Sequence, residues 1–138
     1  MQDIQWQYYP HVAENPITRA FVESQAKRQK RPKTIDAYAR NLEDLMRAFT
    51  ESAIQDLIEA NPDDIETYID WLYQRTPAKP RNKLTSLPGE GLSPNTIQQR
   101  IVTARLFYDF CIYRGYRQNK VNPIPRGNPV SGSGWILL

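Results

Sequence analysis

Four prolines divide this chain of 138 residues: Pro16, Pro32, Pro62 and Pro94. Each stands just ahead of a stretch whose apolar residues recur every three or four positions. Proline lacks the N–H donor that the first turn of a helix leaves unpaired anyway, and its fixed φ suits that turn. Asn15, Asn61 and Ser93 precede three of them, and Asn and Ser are good N-caps. The pattern predicts four helices. The first runs from Asn15-Pro16 to about Gln29, with Ile17, Phe21 and Val22 inward. The second runs from about Lys33 to Phe49 on a stripe of Ile35, Tyr38, Ala39, Leu42, Leu45, Met46 and Phe49. The third follows Asn61-Pro62, where Asp63 and Asp64 suit the positive end of the helix dipole. It buries Ile65, Tyr68, Ile69 and Leu72 and ends near Arg75. The fourth runs from Ser93-Pro94 to about Arg114, with Ile97, Ile101, Ala104, Tyr108, Cys111 and Ile112 inward and Phe107 adjoining. Gly115 is its C-cap.

Residues 53–60 read as a short helical turn, and no strand of useful length is evident. The expected fold is all-α, a small four- to five-helix bundle. Residues 1–14 lack a period and are expected to be irregular. The helical domain spans 15–123, and 124–138 read as a linker or tail, because Asn122-Pro123 and the following PRGNPVSGSG are turn-forming. Residues 76–92 are a long loop punctuated by proline and glycine. They carry Lys79, Arg81 and Lys83, which either reach a phosphate or stay solvated.

Composition removes several classes of function. With 40% hydrophobic residues the chain can bury a core. Nothing in it approaches the run of about 18 apolar residues that a membrane span needs. Its start lacks the layout of a signal peptide. A cytoplasmic protein with no membrane partner is expected. The one cysteine, Cys111, lies in an apolar helical stretch and reads as a small core residue. The one histidine, His11, has no Cys/His cluster around it, so no metal is expected. No glycine-rich phosphate loop is present, and no nucleophile is paired with a base. The chain reads as a binder that needs no cofactor, not as an enzyme.

Charge then points to the ligand. The net charge is +3, but residues 1–73 carry −5 and residues 74–138 carry +8. A basic cluster runs from Lys27 to Lys33, whereas Glu43 to Asp70 is acidic except for Arg47. The folded domain should present a positive side to polyanions and turn its negative side away. Cations also suit a helix C-terminus, so part of the cluster reads equally well as capping. One short pattern occurs twice, as Pro32-Lys33-Thr34-Ile35 and as Pro94-Asn95-Thr96-Ile97. Helix N-termini attract phosphate. Two such tips on one side of a bundle would hold a nucleic-acid backbone at two points.

The stretch from Gly91 through Ser93-Pro94-Asn95-Thr96-Ile97-Gln98-Gln99-Arg100, on past Phe107-Tyr108 to Arg114-Gly115 and Asn122-Pro123, resembles the last helix of a known domain. That domain is the core-binding domain of tyrosine recombinases, the phage integrase family. Pro32 to Tyr38, with Leu42 and Phe49, is similar to its earlier DNA-contacting helix. Asp64-Ile65 with Tyr68, Ile69 and Leu72 matches the helix between them. The resemblance covers about residues 15–123. It implies a SAM-like helical bundle that clamps duplex DNA against a separate C-terminal catalytic domain. It also implies other recombinase protomers as partners, in a tetramer on DNA. The catalytic arginines, histidines and tyrosine nucleophile have no counterpart here, so an excised domain or fragment is expected. It should be monomeric by itself, cytoplasmic in a prokaryote, and on the nucleoid when bound to DNA.

The resemblance sends the two motif-bearing helices towards the major groove. On the fourth helix Asn95, Gln98, Gln99 and Thr103 are expected opposite the apolar stripe, with Arg100 and Arg105 flanking. Amide side chains pair with adenine edges and arginine with guanine or phosphate. Gln99 and Asn95 are the leading candidates for base reading. Thr96 and Ser93 can bond phosphate, although helix capping is the favoured role for Ser93. On the second helix Lys33 and Arg40 are expected to meet phosphates beside Thr34 and Ala37, joined by Arg28 and Arg31. Tyr38 and Tyr108 either stack on single-stranded bases or are buried. Two other readings remain open: a helical protein-interaction module, and a binder of single-stranded DNA or RNA.

Overall fold

The computed structural model describes residues 4–28, 30–74, 92–125, 128–130 and 134–136. A 3-10 turn at Trp6–Tyr8 leads into α1 (Pro10–Glu14) and α2 (Pro16–Lys27). The long helices α3 (Pro32–Glu51) and α5 (Pro94–Tyr113) follow, with α4 (Pro62–Gln74) between them. Two short antiparallel strands, β1 (Asn128–Val130) and β2 (Gly134–Ile136), place Pro129 opposite Trp135. Among the described residues no helix is long and apolar enough to cross a membrane.

The four prolines open helices, and the residues around them cap as their chemistry suggests. Asn15 Oδ1 accepts from the N–H of Ile17 at 2.9 Å and of Thr18 at 3.3 Å. Asn61 and Asp64 exchange bonds reciprocally at 2.9 and 3.1 Å, a capping box. Ser93 Oγ accepts from Thr96 N at 3.2 Å. At the far end of α5 the Tyr116 N–H bonds the Cys111 carbonyl and the Gly115 N–H that of Ile112. Gly115 sits at φ +77 to allow this Schellman closure.

The bundle is built around α3, which touches all four other helices. Five consecutive residues, Asn41 to Leu45, are buried. A helix lying on a surface would expose at least one of five. Leu42 and Leu45 join Phe21, Ile65, Leu72, Ile101 and Phe107 in one core. Each such side chain contributes about 1.5–3 kcal/mol on burial.

Three expectations need correction. Residues 4–14 are not irregular. Tyr9 and Val12 belong to the core, and α1 is capped by a distant residue. The Glu43 carboxylate accepts from the N–H groups of His11 at 3.0 Å and Val12 at 3.1 Å, and meets His11 Nδ1 at 2.5 Å. A five-residue helix is too short to display a period, and its cap lies elsewhere in the sequence. Residues 53–60 form no helical turn. Past Glu51 the chain turns at Ala53, with φ 57, and an Asp56 side chain accepts from the N–H groups of Ile58 and Glu59. Nor does position 124 begin a free tail, since Ile124 is 3% exposed. The strands β1 and β2 lie further along the tail, where proline and glycine had hidden any alternation. Residues 75–91, most of the basic loop, lie outside the described residues.

Candidate nucleic-acid interface

The site grows from the contact between α3 and α5. Asp44 receives Arg100 Nε at 2.7 Å. Asn41 Nδ2 donates to Thr103 Oγ1 at 2.8 Å and to the Gln99 carbonyl at 3.4 Å, while its Oδ1 accepts from Arg100. Tyr38 lines a hollow with Leu106 and Phe110. Descending α3 from 44 to 38 therefore ascends α5 from 100 to 110. The helices pass each other in opposite senses, so their proline-opened tips lie at opposite ends of the contact. This corrects the expectation that both tips face one side. The α5 tip lies towards the acidic half of α3, and it satisfies itself, because Ser93 Oγ donates to Thr96 Oγ1 at 2.9 Å.

The contact leaves a shallow groove of about 340 Å³ on its outer side. From α3 come Lys33, Thr34, Ala37, Tyr38 and Asn41, and from α5 come Gln98, Gln99, Val102 and Thr103. The side chains of Lys33, Gln98 and Gln99 have no hydrogen-bond or ion-pair partner among the described residues. Beside the groove, Arg28 caps the C-terminus of α2 by its backbone and Arg31 stands at the N-cap of α3. Both are exposed and without an ion pair among the described residues. The positive end of the α3 dipole adds to their field. At the other end of this helix, about 30 Å away at 1.5 Å per residue, lies Glu51, whose carboxylate accepts from Trp71 Nε1 of α4.

The structure sorts the expected site residues into three groups. Lys33, Thr34, Gln98 and Gln99 line the groove; Arg28 lines the adjoining hollow that shares Tyr38, Arg31 stands at the N-cap of α3, and Asn95 is exposed near the start of α5. Arg40 is exposed but paired with Asp36 one turn earlier. Four others hold the fold. Thr103 is 2% exposed and bonded to Asn41. Arg100 is nearly buried against Asp44. Thr96 closes the α5 cap. Arg105 donates to the Pro125 carbonyl at 2.9 Å and so ties down the chain after α5. Thr103 and Arg100 share one reason: α5 is packed on α2, α3 and α4 together, so little of its circumference is left for a ligand. Tyr108 is buried, donating to the Leu57 carbonyl at 2.7 Å. Base stacking by Tyr108 is thereby excluded.

Sequence reasoning passed over Val102 and Leu106, which are both exposed. A signal was present. They lie seven and eleven residues after Asn95, on its side of the helix.

Burial also controls the two acids packed inside α5. It pushes the Cys111 thiol up to about 12, and raises the Tyr108 phenol well above its ordinary 10.0. Neither group can act as a nucleophile near neutral pH. Among the described residues no group of His, Cys, Asp and Glu could hold a metal ion.

One comparison with known proteins bears on this geometry. A family model described as phage integrase, N-terminal SAM-like domain, matches residues 20–115. No curated protein and no solved structure gives a significant match.

Proposed function

Because the chain belongs to the family of phage integrase N-terminal SAM-like domains, we propose that it binds duplex DNA at the core site of a recombination reaction. The α3–α5 groove faces the major groove. Lys33, Arg31 and Arg28 meet phosphates, which set position without reading sequence. Gln98 and Gln99 reach base edges, and the acidic end of α3 points away. The whole protein is a tyrosine recombinase whose catalysis resides in another domain, and its protomers assemble as a tetramer on paired sites. The observation that carries this reading is the coincidence of an unpaired cation, Lys33, with two unpaired amides, Gln98 and Gln99, along one groove.

The test is a titration with duplex DNA, single-stranded DNA and RNA over a range of salt. Duplex should bind tightest. The logarithm of its affinity should fall with the logarithm of salt at a slope of about −2.7, near −0.9 for each of three phosphate contacts. Equal affinity for all three nucleic acids, or no binding at low salt, overturns the reading.

A further inference from the structure

Among the groove residues, Ala37 and Val102 do no evident work for the bundle. Val102 is 36% exposed and Ala37 half-buried, and both line the groove, Ala37 from α3 and Val102 from α5. An apolar patch at this place contributes nothing to phosphate binding. It does match one feature of the major groove, the C5-methyl of thymine, which is its only apolar handle among unmodified bases. Gln99 lies three residues before Val102 on α5, so the two side chains neighbour each other at about 5–6 Å. That spacing lets an amide and a methyl contact fall on one base pair. Adenine offers N6 and N7 to a glutamine, and the paired thymine offers its methyl beside them.

We infer that the groove selects A·T pairs, with Val102 and Ala37 seating a thymine methyl and Gln99 meeting the adenine edge. The inference rests on the proposed duplex binding and adds which base pair the groove prefers. Among the described residues no acidic side chain lines the groove. Cytosine would offer its N4 amino group in place of thymine O4, with no methyl beside it. Guanine would present O6 where adenine presents an amino donor, so Gln99 loses its bidentate partner.

The experiment uses the full chain and three short duplexes at one salt concentration. One is alternating A·T with thymine, one is the same sequence with deoxyuridine, and one is a G·C duplex. Deoxyuridine removes the methyl and leaves every base-pairing group in place. Each contacted methyl should strengthen binding about fourfold, the value of one buried carbon group. Thymine duplex should therefore bind tighter than deoxyuridine duplex by that factor, and G·C duplex should bind weakest. Val102→Ala, at an exposed position where folding is little affected, should erase most of the thymine preference and keep the salt slope. Equal binding of thymine and deoxyuridine duplexes, or an unchanged preference in Val102→Ala, overturns the inference and leaves duplex binding standing. Failure to bind any of the three overturns duplex binding itself.

Discussion

The two sides of α3 treat polar side chains in opposite ways. Along its middle, Asn41, Glu43 and Asp44 are buried, and each is engaged by a neighbouring helix: Glu43 by the start of α1, Asn41 and Asp44 by Arg100. At its N-terminal end Arg31 and Lys33 stand exposed and without an ion-pair partner among the described residues. The sequence shows all of these as polar residues at helical spacing. What separates them is the company that tertiary packing supplies. A charged residue in a small bundle points to a ligand only after its partners have been found, and for α3 the division falls between Lys33 and Asn41.

The engaged side should dominate stability. Arg117 extends the same logic past α5. It is 1% exposed, donates to the carbonyls of Ile58 at 2.6 Å and Val121 at 3.1 Å, and lies over the Tyr108 ring. Arg117→Ala strands both carbonyls and opens a cavity, so it should cost about 3–5 kcal/mol. Chemical denaturation would measure this, and a loss under about 1 kcal/mol would show that the region after α5 is not anchored as described. Next comes Arg100→Leu, which takes the Arg100 Nε donor from the buried Asp44 carboxylate and should cost roughly 2–4 kcal/mol. The double variant Arg100→Leu/Asp44→Leu should recover part of that loss. If Arg100→Leu weakened DNA binding with stability intact, Arg100 would move to the exposed set and the comparison would fail.

The outcome for Arg100 shows what the sequence could and could not reveal. Helix starts were legible because capping is local: Asn15, Asn61 and Ser93 act within four residues of themselves. The apolar stripes of α3 and α4 were legible because each faces the core along most of its length. The α5 assignment was less secure, since a helix enclosed by three neighbours buries Thr103 and exposes Val102. Helix direction was not legible at all. The repeated proline–threonine motif identifies two tips but says nothing of their relative orientation, which the packing of Tyr38 and Asp44 on α5 decides. The cap on α1 was hidden for the same reason, because Glu43 reaches it from 31 and 32 residues away.

A smaller effect comes from inside α5. Folded Cys111 holds its proton up to about 12, whereas the same thiol in the unfolded chain ionises near 9.0. Between those values the unfolded state has lost a proton that the folded state keeps. Stability is therefore complete below about pH 9 and declines as pH rises through that window. At pH 10 the loss should be roughly 1 kcal/mol, with Tyr108 adding a loss of the same sign at higher pH. Denaturation curves across this range, with Cys111→Ala as the control that removes the thiol, would show it. A stability that stays flat from neutral pH to pH 10 would mean that the thiol is not sealed in the core.

The exposed end should give the smallest change in stability and the clearest change in binding. Lys33→Gln and Arg31→Gln remove no internal contact, so each should alter stability by under about 0.5 kcal/mol. Each should nevertheless reduce the steepness of the salt dependence by about 0.9, the release of one counterion. Arg40→Gln provides the gradation between the two classes. Its guanidinium is exposed but shared with Asp36, and an exposed pair of this kind is worth at most about 1 kcal/mol. A phosphate could displace Asp36 only at that cost, and the freed carboxylate would then repel the same backbone. Arg40→Gln should change the slope less than Lys33→Gln does. An Arg40 effect equal to that of Lys33 would show that the Asp36 pair opens on DNA, and that the boundary between engaged and available cations on α3 moves when the ligand arrives.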